Sequence, residues 1–248
     1  MIVLKSPNEI CRMKTACQIA YEILLRVSEM ATPGACTFDL EQFAAAEAKK
    51  LKARCAFKGY HNYPSSLCCS PNNQVVHGLP SKQALLSGDI LSLDFGVYID
   101  DYYGDAAITV PVGNISNVAE LLISATEKSL YAGIEQALPG NRLGDISSAV
   151  QCYAEKNGFS VVRDFVGHGI GRNLHEDPQV PNYGTAGKGL RLKSGMVLAI
   201  EPMINEKSYE VKVLDDKWTV ITVDGGLSAH FEHTVAITDN GPEILTRI

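Results

Sequence analysis

The chain has 248 residues, 46% hydrophobic and 20% charged, with a net charge of −6. This length and composition suit one large domain or two small ones with a sizeable core, and exclude an intrinsically disordered chain. The acidic balance lacks the basic footprint that a nucleic-acid binder carries.

No run approaches the roughly 20 apolar residues that a membrane span needs. The N-terminal stretch has polar residues where a secretory signal would need its apolar core. Seven cysteines are scattered without paired CxxC modules, so reduced thiols fit better than a structural zinc site or a disulfide framework. A soluble, cytoplasmic protein is expected.

In chain order, Ser6-Pro7-Asn8-Glu9 reads as a helix start. Ser6 can cap, Pro7 suits the first helical position, and Glu9 can complete a capping box. Ile10, Met13, Cys17, Ala20, Leu24 and Val27 follow at helical spacing, and Thr32-Pro33-Gly34 stops the helix. A second helix is predicted from Thr37 to about Ala53. A third runs from Val118 to about Ala137, stopped by Pro139-Gly140, and a fourth from about Asp145 to Asn157-Gly158.

The chain repeats its own plan. Ala31 to Leu40 aligns with Ala137 to Ile146 at an offset of 106, and Ser87 to Asp94 aligns with Ser194 to Glu201 at an offset of 107. Two matches at nearly one offset argue for an internal duplication. Asp105-Ala-Ala-Ile-Thr-Val resembles Glu232-His-Thr-Val-Ala-Ile at an offset of 127, the extra residues falling between Pro202 and Phe231. No linker separates the halves, about 1–112 and 113–248. The expectation is a single domain of two pseudo-symmetric halves, helices packed on strands, with a cleft between them.

The duplication pairs Asp94 with Glu201 and Asp105 with Glu232, all in strand-like sequence. The two segments flank a polar turn near Asp100-Asp101, and with Asp94 opposite Asp105 in one hairpin their index sum of 199 centres the turn at 99.5. Like charges directly opposite destabilise a hairpin, and buried carboxylates need pairing or a metal. A cation removes both costs. His168, between glycines in Val166-Gly-His-Gly-Ile-Gly171, adds a nitrogen donor. Four carboxylates and one imidazole suit two bridged ions. Oxygen-rich ligation with one nitrogen favours Mn, Fe, Co or Zn.

Several segments complete a pattern: Gly59-Tyr-His-Asn-Tyr-Pro64, Val76-His-Gly-Leu-Pro80, Asp94, Gly104-Asp105, Gly167-His-Gly-Ile-Gly-Arg172, His175-Glu-Asp-Pro178, Ile200-Glu-Pro202 and Phe231-Glu-His233. In this order they resemble type I methionine aminopeptidases, over nearly the whole chain. Only 26 positions separate His175 from Glu201, which leaves no room for the large insertion of type II enzymes. No extension is expected before the first helix.

The resemblance implies the α/β "pita-bread" fold, two pseudo-symmetric halves with helices on a central curved antiparallel sheet. It implies a hydrolase removing the initiator methionine of nascent polypeptides when the second residue is small. Asp94 would bind one divalent metal, Asp105 and Glu232 would bridge two, and His168 and Glu201 would complete the second site. Glu201 would accept the proton of the attacking water. His77 and His175 would hydrogen-bond the substrate around the scissile amide. Tyr60, Tyr63, Cys68 and Trp218 would line the methionine pocket. The implied partner is the N-terminal methionine of nascent chains, met transiently at the ribosome, with no nucleic-acid cofactor and no membrane.

Leu174, Val76 and Phe57 depart from residues common in that family, and His61 reads as a surface residue. The alternatives are a proline-directed peptidase of the same fold, which usually carries a further N-terminal domain, and a non-catalytic binding protein, which would have lost ligands.

Overall fold

In the computed structural model, which describes residues 2–247, the Ser6 and Glu9 capping box is formed. The Ser6 amide donates to Glu9 Oε2 at 3.0 Å and the Glu9 amide to Ser6 Oγ at 3.4 Å. Four α-helices follow from the capping and stop signals: α1 (Pro7–Glu29), α2 (Thr37–Lys50), α3 (Asn117–Ile134) and α4 (Leu143–Lys156). No helix among the described residues is long and apolar enough to cross a membrane.

The strands are β1 (Arg54–Cys55), β2 (Cys68–Pro71), β3 (Gln74–Val76), β4 (Ile90–Ile99), β5 (Tyr102–Pro111), β6 (Ser160–Val161), β7 (Gly167–Gly169) and β8 (Glu176–Val180). They continue with β9 (Val197–Ile200), β10 (Met203–Asn205), β11 (Val211–Val213), β12 (Val220–Thr222), β13 (Ser228–His230), β14 (Glu232–Thr238) and β15 (Gly241–Ile244). The main sheet is antiparallel and runs β1-β4-β5-β14-β9-β7-β8, with β2 also on β4 and β15 also on β14. Two three-stranded sheets, β13-β10-β6 and β11-β12-β3, are built largely from the stretch between Pro202 and Phe231.

Strand alternation separates core from site. Leu91, Leu93, Phe95 and Val97 of β4 and Ala106 and Ile108 of β5 join Ala16, Ala20, Ile23 and Leu24 of α1 in the largest buried cluster. The intervening residues of β4 and β5, Asp94 and Asp105 among them, project from the other face. The adjacent cysteines divide in the same way. Cys69 joins the helix-covered core, while Cys68 packs with Tyr63, Phe57 and Leu174. All seven cysteines are unpaired.

Gly104 sets how closely α1 crosses β5. A Cβ at that position would lie 2.4 Å from the Cys17 amide nitrogen and 2.5 Å from the Ala16 carbonyl carbon, both backbone atoms that cannot rotate away. Gly104→Ala is therefore expected to destabilise the metal-free protein by about 1–3 kcal/mol through overpacking. That corresponds to about 2–4 °C in Tm per kcal/mol for a chain of this size. An unchanged Tm would show that α1 can slide.

Candidate metal centre and substrate cavity

One row of Cα partners runs Cys68, Asp94, Ala107, Glu232 across β2, β4, β5 and β14. Residues in register share a face, so Cys68, Asp94 and Glu232 point the same way. Asp105, two residues along β5 from Ala107, joins them. His168 pairs with Ala199 and Ala199 with Thr234. This puts His168 on the same face, with Glu201 two residues beyond Ala199. Strand periodicity alone thus gathers all five proposed ligands on one side of the sheet. Small residues leave room for them: Ala107 lies between Asp94 and Glu232, and Gly96 faces Asp105.

The hairpin register corrects the sequence-based expectation. Asp94 pairs with Ala107 and Asp105 with Gly96, so the two aspartates are diagonal rather than directly opposite. Ile99 pairs with Tyr102, which makes Asp100-Asp101 a two-residue turn with φ of 51° and 70°. Both residues sit in the left-handed region that a type I′ hairpin turn demands. The shift is two positions, so the shared face survives. The stagger leaves the two carboxylates unmatched across the strands.

The carboxylates are short of partners. Asp94 Oδ1 and Glu232 Oε1 are buried without a hydrogen bond, and Asp105 Oδ1 accepts from the Ala106 amide at 3.1 Å. Burial, then Asp105, holds Asp94 well above the usual carboxylate range. Burial followed by the neighbouring aspartates does the same to Glu201, and burial followed by Asp105 and Glu201 does so to Glu232. Burial also pushes Asp105 up to about 7. A divalent cation among these groups would invert that repulsion.

His168 Nδ1 lies 2.9 Å from the Gly169 carbonyl oxygen, which can only accept. Nδ1 therefore carries the proton, and Nε2 turns a lone pair toward Glu201 Oε1 at 3.5 Å. Two lone-pair carriers facing each other leave space that a cation would fill. Burial lowers His168 to about 3, keeping it a neutral donor. One donor atom each from Asp105, His168 and Glu232 lies within 4.8 Å of the others. The donor set fits a hard or borderline divalent metal.

All eleven residues singled out from the sequence line one cavity of about 230 Å³: the five proposed ligands with Tyr60, Tyr63, Cys68, His77, His175 and Trp218. The cross-strand pair Cys68 and Asp94 is where its apolar end meets the carboxylates. Tyr63 donates its hydroxyl to the Gly78 carbonyl at 3.0 Å, and Trp218 packs edge-on against it at 5.1 Å. Burial raises the Cys68 thiol well above its ordinary value, so it stays protonated and packs as an apolar group. Phe57, Val76 and Leu174, the departures noted in the sequence, line the same cavity.

His77 follows β3 with a φ of 59°, a left-handed conformation that non-glycine residues adopt chiefly where the surroundings over-determine it. Burial, then His175, lowers it to about 4. His175 Nδ1 is 3.0 Å from the Tyr60 hydroxyl, and its ring lies 4.3 Å from that of His168. Burial, then His61, lowers His175 also.

Sequence reasoning missed several residues. His61 is exposed, as expected, yet lines the cavity beside Tyr60, as do Phe165 and Met203. His230, 1% exposed, has Nε2 3.6 Å from Glu201 Oε2. No repeat or periodicity marked these positions.

Residues 11–239 match metallopeptidase family M24. A methionine aminopeptidase from Clostridium perfringens is 56% identical over 248 residues, covering 100% of both chains. The crystal structure of a methionine aminopeptidase from Thermotoga maritima is 47% identical, with a TM-score of 0.98 and full coverage of both chains. The prolidase structure from Pyrococcus horikoshii shares the fold at a TM-score of 0.81 and 24% identity. It matches all of this chain but only 64% of its own.

Proposed function

Because the chain belongs to metallopeptidase family M24, we propose that it is a metal-dependent aminopeptidase that removes N-terminal methionine from nascent polypeptides whose second residue is small. One observation carries this reading: a carboxylate cluster with buried, unpartnered oxygens opens directly onto an apolar cavity walled by Tyr63, Cys68 and Trp218. An unbranched thioether suits such a wall. Curated relatives bearing the methionine aminopeptidase name along their whole length support the same activity.

Asp94, Asp105, His168, Glu201 and Glu232 would hold two divalent cations, drawn from Co, Mn, Fe or Zn. Bound there, such a pair would make water nucleophilic near neutral pH and polarise the scissile carbonyl. Glu201 takes the proton released by the attacking water. With Tyr60 donating to His175 Nδ1, Nε2 keeps the proton of the neutral ring and donates to the carbonyl oxygen as charge develops on it. His77, also neutral, binds the amide on the other side of the scissile bond. His61, His77, Phe165 and His175 also line the cavity, and a bulky residue after methionine would crowd them.

Peptides beginning Met-Ala, Met-Gly and Met-Ser should therefore be cleaved after metal reconstitution, and Met-Lys and Met-Phe peptides hardly at all. Exhaustive chelation should abolish turnover and leave the circular dichroism of the fold in place, since the main core lies on the opposite face of the sheet from the ligands. Equal rates across the peptide panel, or full activity without metal, defeat the proposal.

A further inference from the structure

His230 ends β13 and belongs to none of the roles assigned so far. Thr109 clamps its backbone from both sides. The His230 amide donates to Thr109 Oγ1 at 2.8 Å, and its carbonyl accepts from the same hydroxyl at 2.9 Å. Ser92 Oγ lies 2.8 Å from Thr109 Oγ1 and completes a buried polar chain. The ring is thus aimed by a fixed backbone. At its tip, buried Nε2 has no hydrogen-bond partner and points at Glu201 Oε2 from 3.6 Å, just beyond bonding reach. The other carboxylate oxygen, Oε1, faces His168. Glu201 is therefore bracketed by two imidazoles, only one of which has its tautomer fixed by a carbonyl.

We propose that His230 is a positioning residue, donating Nε2–H to Glu201 Oε2 and so fixing the carboxylate that takes the proton. This rests on the role given to Glu201 above. A lone pair on Nε2 would face the lone pairs of Oε2 and leave both buried groups unsatisfied. The donor tautomer converts the same geometry into a charge-assisted hydrogen bond after a small rotation of the Glu201 side chain. A competing geometry exists, because donor atoms of Glu201, His230 and Glu232 also lie within 4.8 Å of one another. In that case the imidazole would be a metal ligand, which the experiment separates.

Wild type, His230→Leu, His230→Gln and His230→Asn are compared as metal-free proteins titrated with Mn²⁺ by calorimetry, then assayed on a Met-Ala-Ser peptide. Losing a partner that orients a metal-binding carboxylate costs about 10–100-fold in affinity or activity. His230→Leu should show such a loss in Mn²⁺ affinity or kcat, with KM changed less than about threefold. Glutamine places an amide N–H near the position of Nε2 and should recover most of the deficit. Asparagine is too short to reach and should not, which keeps the test open if the leucine variant fails to fold. His230→Leu matching wild type in both affinity and kcat overturns the proposal. So does His230→Gln binding fewer equivalents of Mn²⁺ than wild type, which would make the imidazole a ligand. A wild type that neither binds Mn²⁺ nor cleaves the peptide would instead overturn the aminopeptidase reading.

Discussion

Glu201→Gln is expected to fold normally and to lose about 10²–10⁴-fold in kcat, the usual contribution of a positioned proton acceptor. The substitution keeps the shape of the side chain. Its backbone anchor also remains, since the Glu201 carbonyl accepts from Asn182 Nδ2 at 3.0 Å whatever the side chain carries. What disappears is the basicity and the charge. Glutamine also has one oxygen where glutamate has two, and the two face different imidazoles: Oε1 meets His168 Nε2 at 3.5 Å and Oε2 meets His230 Nε2 at 3.6 Å. An amide NH₂ turned toward His168 would bond the lone pair that a bound metal would need. Metal content therefore has to be measured on the same sample as the rate. A preparation that keeps its metal and loses kcat at unchanged KM identifies the lost proton acceptor. Wild-type turnover would remove Glu201 from that role.

The shared face of the carboxylates was legible because strand alternation does not depend on exact register. Moving the pairing by two residues, as the Asp100-Asp101 turn does, keeps Asp94 and Asp105 on one side of the sheet. A shift of one residue would have put one of them into the helix-packed core. The turn was legible in place, near Asp100-Asp101, but its exact register was harder to read. Asp-Asp lacks the glycine of the strongest hairpin signals, yet aspartate tolerates positive φ, and both residues adopt it. The first helix was readable to the atom at its start, since Ser6, Pro7 and Glu9 are a local device whose hydrogen bonds span only three residues.

The residues that escaped lie where no local rule operates. His230 belongs to the stretch between Pro202 and Phe231, where the sequence alignment of the halves leaves extra residues, and Trp218, which did not escape, lies there too. Trp218 was named only through the family resemblance. His230 precedes Glu232 by two residues, and nothing in sequence says that its ring reaches back to Glu201. That contact depends on Thr109, 121 positions away, holding its backbone. His61 was readable as exposed but not as part of the cavity wall, since exposure follows from local polarity and position around a cavity does not.

His168→Ala and His175→Ala should fail in different ways although their rings lie 4.3 Å apart. His168 Nε2 is held as a lone pair by the bond from Nδ1 to the Gly169 carbonyl and lies within 4.8 Å of donor atoms of Asp105 and Glu232. On the proposed assignment, removing it would take a ligand from the cluster. The expected result is loss of metal affinity beyond the roughly 10–100-fold that outer-shell partners cause, with activity falling as metal is lost. His175 has a different neighbour. Its Nδ1 meets the Tyr60 hydroxyl at 3.0 Å, and Tyr60 is a wall residue of the substrate cavity, not a ligand. In the role proposed for it, removing His175 would withdraw a donor from the carbonyl oxygen only when charge builds there, at a cost of about 10²–10³-fold in rate and at least roughly tenfold. Its metal content should stay at the wild-type value. Metal analysis of both variants beside their kcat decides the assignment. If His175→Ala sheds metal while His168→Ala retains it, the two histidines have exchanged roles and the tautomer argument at Gly169 fails with them.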